Sequence, residues 1–147
     1  MEILSDFLIY SIDPNQNLLF AKWLRPVSST EYRTGIDLMH KLILSQDAKL
    51  WFLDYTTIST PDKEDQAWTI EEAAKLIACP DCRLDKIAIV VSKDAFFLTV
   101  AKQIHNTIAV GQQNGLAVEH FTGIAVAFKW LTGIDSEAMD APATDIG

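Results

Sequence analysis

The chain has 147 residues, 49% hydrophobic and 22% charged. That is the composition of one globular domain, large enough to bury about two thirds of its extended surface without a disulfide framework or a structural metal. Twelve Lys and Arg against twenty Asp and Glu give a net charge of −8, the wrong sign for nucleic acid or anionic lipid, so neither is an expected partner.

Ile3 to Ser11 and Asn17 to Leu24 are apolar-rich runs joined by the turn formers Asp13-Pro14-Asn15-Gln16, which predicts an antiparallel hairpin. Ser28 with Glu31 makes a capping box ahead of Tyr32, Ile36, Met39 and Ile43, the spacing of an amphipathic helix. Leu50-Trp51-Phe52-Leu53, ending in Asp54-Tyr55, shows no alternation and reads as a strand buried on both faces. Asp62 to Ala78 reads as one helix behind Ser59, Thr60 and Pro61, with a second capping box, Thr69 with Glu72, marking a break.

Ile87 to Val91 is a further apolar strand, after which Ser92 caps a helix with Phe97, Val100, Ile104 and Ile108 on one face. Gly111 to Gly115 is a turn, Leu116 to Phe121 a fifth strand, and Thr122 caps a last helix that Gly133 ends. The expected fold is α/β, β-β-α-β-α-β-α-β-α. It has a five-stranded, mainly parallel sheet, an antiparallel N-terminal edge hairpin and four helices. The domain spans residues 1–133, and 134–147, acidic and without aromatics, form a solvated tail. No apolar run approaches the roughly 18 residues of a membrane span, and the acidic N-terminus lacks the basic region of a signal peptide. Cytoplasmic localisation without stable membrane insertion is the expectation.

Trp23, Glu31-Tyr32-Arg33-Thr34-Gly35, Ala48 to Asp54, Glu64 to Trp68, Lys86 to Ser92, Phe121 and Lys129-Trp130-Leu131 together resemble small bacterial proteins of the STAS-like, SpoIIAA-like superfamily. The resemblance covers about residues 3–131. It implies the fold of anti-sigma-factor antagonists and, more distantly, of CRAL-TRIO lipid-carrier domains; it implies no particular job. In the antagonists the central strand runs into an Asp-Ser-Ser-Gly-like turn whose serine is phosphorylated. The matching stretch here is Asp54-Tyr55-Thr56-Thr57-Ile58-Ser59, which keeps the aspartate but has no serine after it and no glycine. Thr56 and Thr57 are the candidate phosphoacceptors that the resemblance leaves, opposed by the acids Asp62, Glu64 and Asp65.

Cys79-Pro80-Asp81-Cys82 is the one scanner-type motif. It follows a helix, where the dipole has the wrong sign to stabilise a thiolate, so two incidental thiols are expected in preference to a thiol redox protein. His40, His105 and His120 have no spacing that would complete a zinc site, the glycines are isolated rather than gathered in a phosphate loop, and neither metal nor cofactor is expected. Asp54 lacks a nucleophile or histidine at a motif spacing and reads as a capping residue rather than a general base.

Trp23, Trp51, Trp68, Tyr32 and Tyr55 belong to elements that meet near the carboxyl ends of the parallel strands, the edge where open α/β sheets bind ligands. Trp51 reads as core, whereas Trp68 and Gln66 lie on an acidic segment beside that edge. These residues point to a non-enzymatic module that recognises a protein partner through Asp54, Tyr55, Thr56, Asp65, Gln66 and Trp68. The acids would steer a basic patch and Trp68 would anchor it. The alternative is a carrier of a small apolar ligand, held in a cavity lined by Trp23, Trp51 and Phe97. An exposed edge strand makes a homodimer a further expectation.

Overall fold

The computed structural model describes residues 2–4, 6–58, 61–92, 102 and 115–134. Six strands, β1 (Glu2–Leu4), β2 (Leu8–Asp13), β3 (Leu18–Trp23), β4 (Leu50–Asp54), β5 (Lys86–Val90) and β6 (Ala117–Phe121), form one sheet in sequence order. The pairs β1–β2 and β2–β3 are antiparallel, and β3 to β6 are parallel. Three helices are described: α1 (Ser29–Ser45), α2 (Lys63–Ala78) and α3 (Ile124–Thr132). No helix among the described residues is long and apolar enough to cross a membrane.

The α/β class, the antiparallel start and the parallel remainder match expectation. The strand count is corrected from five to six: the apolar run from Ile3 to Ser11 is broken by a turn at Asp6-Phe7, so β1 forms the edge and β2 lies inside it. The expected helix from Ser92 and the tail from residue 135 fall outside the described residues, as do Ser59, Thr60, Phe97 and His105.

When parallel strands follow sequence order, right-handed crossovers all step the same way and carry their helices to one face. There Tyr32, Ile36, Met39 and Ile43 of α1 and Leu76 of α2 close over Leu19, Ala21, Trp23, Trp51, Leu53 and Ile87. Alternate residues of the same strands, Leu18, Phe52, Ala88 and Val90, pack on the opposite face against Ala127 and Leu131 of α3. Beyond Leu50 both faces of β4 are buried, which is why its sequence shows no alternation.

The caps set where each helix begins. Ser28 accepts from the Glu31 N–H while Glu31 reaches back to the Ser28 N–H, so α1 opens with the expected capping box. Asp62 caps α2 by accepting from Asp65 N–H. The break expected at Thr69 is absent, because the Thr69 hydroxyl donates to the Asp65 carbonyl one turn earlier and stays inside the helix. For α3 the N-cap is Gly123 rather than Thr122, with no side-chain cap bond, and Gly133 ends the helix in the left-handed conformation at φ 74°.

Candidate functional site

Register aligns Lys22, Asp54, Val90 and Phe121 across β3 to β6. This row is the carboxyl edge of the parallel strands. Pairing runs slightly past it: Tyr55 N–H donates to Val90 O at 2.7 Å and Val91 N–H to Phe121 O at 2.8 Å. This row and the loops and helix starts beyond it hold every residue expected at the site.

Asp54 is 1% exposed, and its Oδ1 accepts from the Thr56 N–H at 2.8 Å and the Thr56 hydroxyl at 2.6 Å. This is an Asx turn, the capping role expected of the residue. The Thr57 hydroxyl, on an exposed residue, donates to the Trp23 carbonyl. Both candidate phosphoacceptor hydroxyls therefore serve the loop.

Tyr55 is buried, with its hydroxyl 3.5 Å from that of Tyr32, which in turn lies 2.8 Å from Thr69 Oγ1. Burial pushes the ionisation of both phenols up, that of Tyr55 well above its ordinary value. They act as neutral hydroxyls that join β4, α1 and α2.

Asp65 is 4% exposed. One carboxylate oxygen accepts from Ser29 Oγ and Arg33 Nε, each at 2.8 Å. Arg33 also lies over the ring of Trp68 at 5.1 Å, and Tyr32 meets that ring edge-on at 6.3 Å. Gln66 Nε2 donates to the Pro61 carbonyl. The structure thus brings Asp65 and Trp68 together through Arg33, and places Asp54, Tyr55 and Thr56 in the adjoining loop. The charge of Asp65 is spent on α1 instead of facing outward, whereas Asp62 and Glu64 are exposed at this edge, as is Asp6 in its pair with Arg25.

Trp23 and Trp51 are core residues. Trp23 stacks on Phe7 and Tyr32, with Tyr55 at its edge, and Trp51 meets His40 edge-on at 5.7 Å. Burial holds His40 down at about 4, against the smaller opposing influence of Glu72 and Asp37. Among the described residues no group of three or more His, Cys, Asp or Glu could hold a metal.

Two features of this edge went unread in the sequence. An open surface pocket of about 310 Å³ is lined by Lys102, His120, Phe121, Thr122, Gly123 and Val126. It lies where the chain leaves β6 for the face opposite α1 and α2. The cue in the sequence was only the apolar start of α3, Ile124-Ala125-Val126, which fits a core helix equally well. The second feature is exposure: Leu24 at 39%, Ile124 at 42% and Val126 at 63% are the exposed large hydrophobic residues among those described. Leu24 directly follows β3, and the other two form the first turn after β6, so all three stand at the carboxyl edge.

Comparison of the chain with protein-family models, with curated proteins and with solved structures finds no match.

Proposed function

We propose that the protein is a non-enzymatic α/β interaction module of the STAS-like type, acting in the cytoplasm, which recognises a protein partner at the carboxyl edge of its parallel strands. The observation that carries this reading is the placement of Leu24, Ile124 and Val126 at that edge. Exposed apolar side chains at the loop-bearing end of a sheet, away from its packed faces, are a feature of interaction surfaces. Asp62 and Glu64 are exposed at the same edge and together with the net charge of −8 favour a partner with a basic patch. Trp68 lies beside them under Arg33, and its half-buried ring supplies a rigid anchor.

Native mass spectrometry of the protein gently purified from its own host tests this reading. Wild type is expected to retain a protein partner, or a second copy of itself, that a Leu24→Asp, Ile124→Asp, Glu64→Lys variant loses while keeping its melting temperature. Equal retention by a folded variant would overturn the assignment of the edge.

A second reading, carriage of a small ligand with an apolar part, is favoured by the open pocket between Phe121 and Val126. Its signature is a small bound mass on the monomer that Val126→Trp displaces.

A further inference from the structure

We propose that Cys79 and Cys82 form a reversible dithiol–disulfide site, closed by exchange with a low-molecular-weight disulfide such as oxidised glutathione. The inference rests on the turn that follows α2 and is independent of the interaction edge. Helix α2 ends at Ala78, and Cys79 leaves it with extended backbone at φ −68° and ψ 128°. The Cys82 N–H then donates to the Cys79 carbonyl at 3.0 Å, which closes Cys79-Pro80-Asp81-Cys82 into a β-turn. A closed β-turn holds its first and fourth Cα atoms within about 7 Å, and a disulfide spans about 4.4–6.8 Å between Cα atoms. Pro80 occupies the second position, where its ring pre-sets the backbone angle the turn requires. Arg83 Nη1 donates to the Pro80 carbonyl at 3.2 Å and adds a second tie across the loop.

Both thiols are free and half-buried, while Pro80 and Asp81 are exposed, so the turn is open to a small oxidant. Cys82 also packs against the main core cluster, which restricts its side chain beside the turn. Reaction proceeds in two exchanges. One cysteine thiolate attacks the glutathione disulfide, forming a mixed disulfide and releasing one glutathione thiolate, which takes up the proton the cysteine lost. The second cysteine then attacks the protein sulfur of that mixed disulfide and releases the other glutathione in the same way. The protein loses two hydrogens and one glutathione disulfide becomes two thiols. Because the pair follows α2 instead of opening a helix, the turn acts as a modification site rather than a redox catalyst. Ring closure is favoured at equilibrium, since the turn already holds the two Cα atoms within the span a disulfide needs.

The test equilibrates the full chain in graded mixtures of reduced and oxidised glutathione, quenches with acid and weighs the intact protein. Expected is one dominant oxidised species lighter by two hydrogens, with the glutathione adduct a minor product. Cys82→Ser should convert the product to the adduct on Cys79. Pro80→Gly should move the midpoint toward more oxidising buffer by about two- to fivefold, the scale of a proline's conformational restriction. A wild-type product that is mainly glutathione adduct, a dithiol unreacted across the whole range, or a Pro80→Gly midpoint equal to wild type would overturn the proposal.

Discussion

Gly35 of α1 lies flush against Trp23 at the end of β3. A Cβ on Gly35 would stand 2.5 Å from Trp23 Cη2 and 2.9 Å from Cζ3, with Leu8 Cδ2 at 3.3 Å. Within a helix glycine costs about 1 kcal/mol relative to alanine, so propensity alone favours replacing it. Packing decides otherwise, because Trp23 is fully buried with Phe7, Tyr32 and Tyr55 around its ring and has no direction in which to yield. Gly35→Ala is expected to lower stability by about 1–3 kcal/mol, the usual cost of overpacking. Urea unfolding of Gly35→Ala, Trp23→Phe and the double variant checks the cause: the smaller ring should make the alanine less costly. A stabilised Gly35→Ala would show that α1 can shift outward.

Asp65 is a structural residue before it is a binding one. Its carboxylate joins α2 to Ser29 and Arg33 of α1. Removing it strands two donors, one of them charged, at the junction of the two helices. Asp65→Ala is expected to cost about 1–3 kcal/mol, a range kept modest because Arg33 is 40% exposed and water screens it. Arg33→Ala should cost at least as much, since it leaves the buried Asp65 carboxylate with only its bond from Ser29. If denaturant melts show the two variants equal and near wild type, the cluster is not what joins α1 to α2. Partner binding is accordingly better probed at exposed Glu64 than at Asp65.

Much of the fold was legible because local signals agreed with one another. The Ser28–Glu31 box, the run at Tyr32, Ile36, Met39 and Ile43, and the non-alternating β4 each specify an element that the structure keeps. The misreadings arose where one residue type serves two purposes. Thr69 looks like a cap, yet the i−4 carbonyl was free to take its hydroxyl. Asp65 looks like a surface acid on an acidic helix, and only the crossing of α1 over α2 buries it. The open pocket beside Phe121 and Thr122 lies where the chain turns to the face opposite α1 and α2, a long-range relation that local periodicity does not encode.

The Thr56 hydroxyl donates to a nearly inaccessible carboxylate at 2.6 Å, a short, charge-assisted bond of the stronger kind. Thr56→Val should cost about 1–2 kcal/mol while the Thr56 N–H keeps its own bond to Asp54. Thr56→Glu should cost more, since it sets a second negative charge beside buried Asp54. Thermal melts of the two variants decide the order. A Thr56→Glu protein as stable as Thr56→Val would mean that the loop can open to take a charge, as phosphorylation there requires.

Acid should find the packing between α1 and β4 through His40. In the folded chain its ionisation falls from 6.5 to about 4, chiefly because burial against Trp51 penalises the imidazolium; Asp37 on its own helix and Glu72 on α2 oppose the shift without overcoming it. Above pH 6.5 the ring is neutral in both folded and unfolded chains and stability does not depend on it. As pH falls from 6.5 toward 4, the unfolded chain binds a proton that the folded chain refuses, so stability declines through that window. The full difference corresponds to about 3 kcal/mol, an upper figure because the ring keeps some contact with water. His40→Leu should remove this loss and leave a flatter profile between pH 6.5 and 4, with the acid sensitivity of the carboxylates persisting lower down. Glu31, held below its usual range by Arg25 and the Ser28 N–H, loses its stabilising share only as pH drops below about 4.5. Urea midpoints taken every half unit from pH 4 to 8 on both proteins measure the difference. Parallel curves across the window would show that His40 is protonated in the folded chain, with Glu72 and Asp37 outweighing its burial.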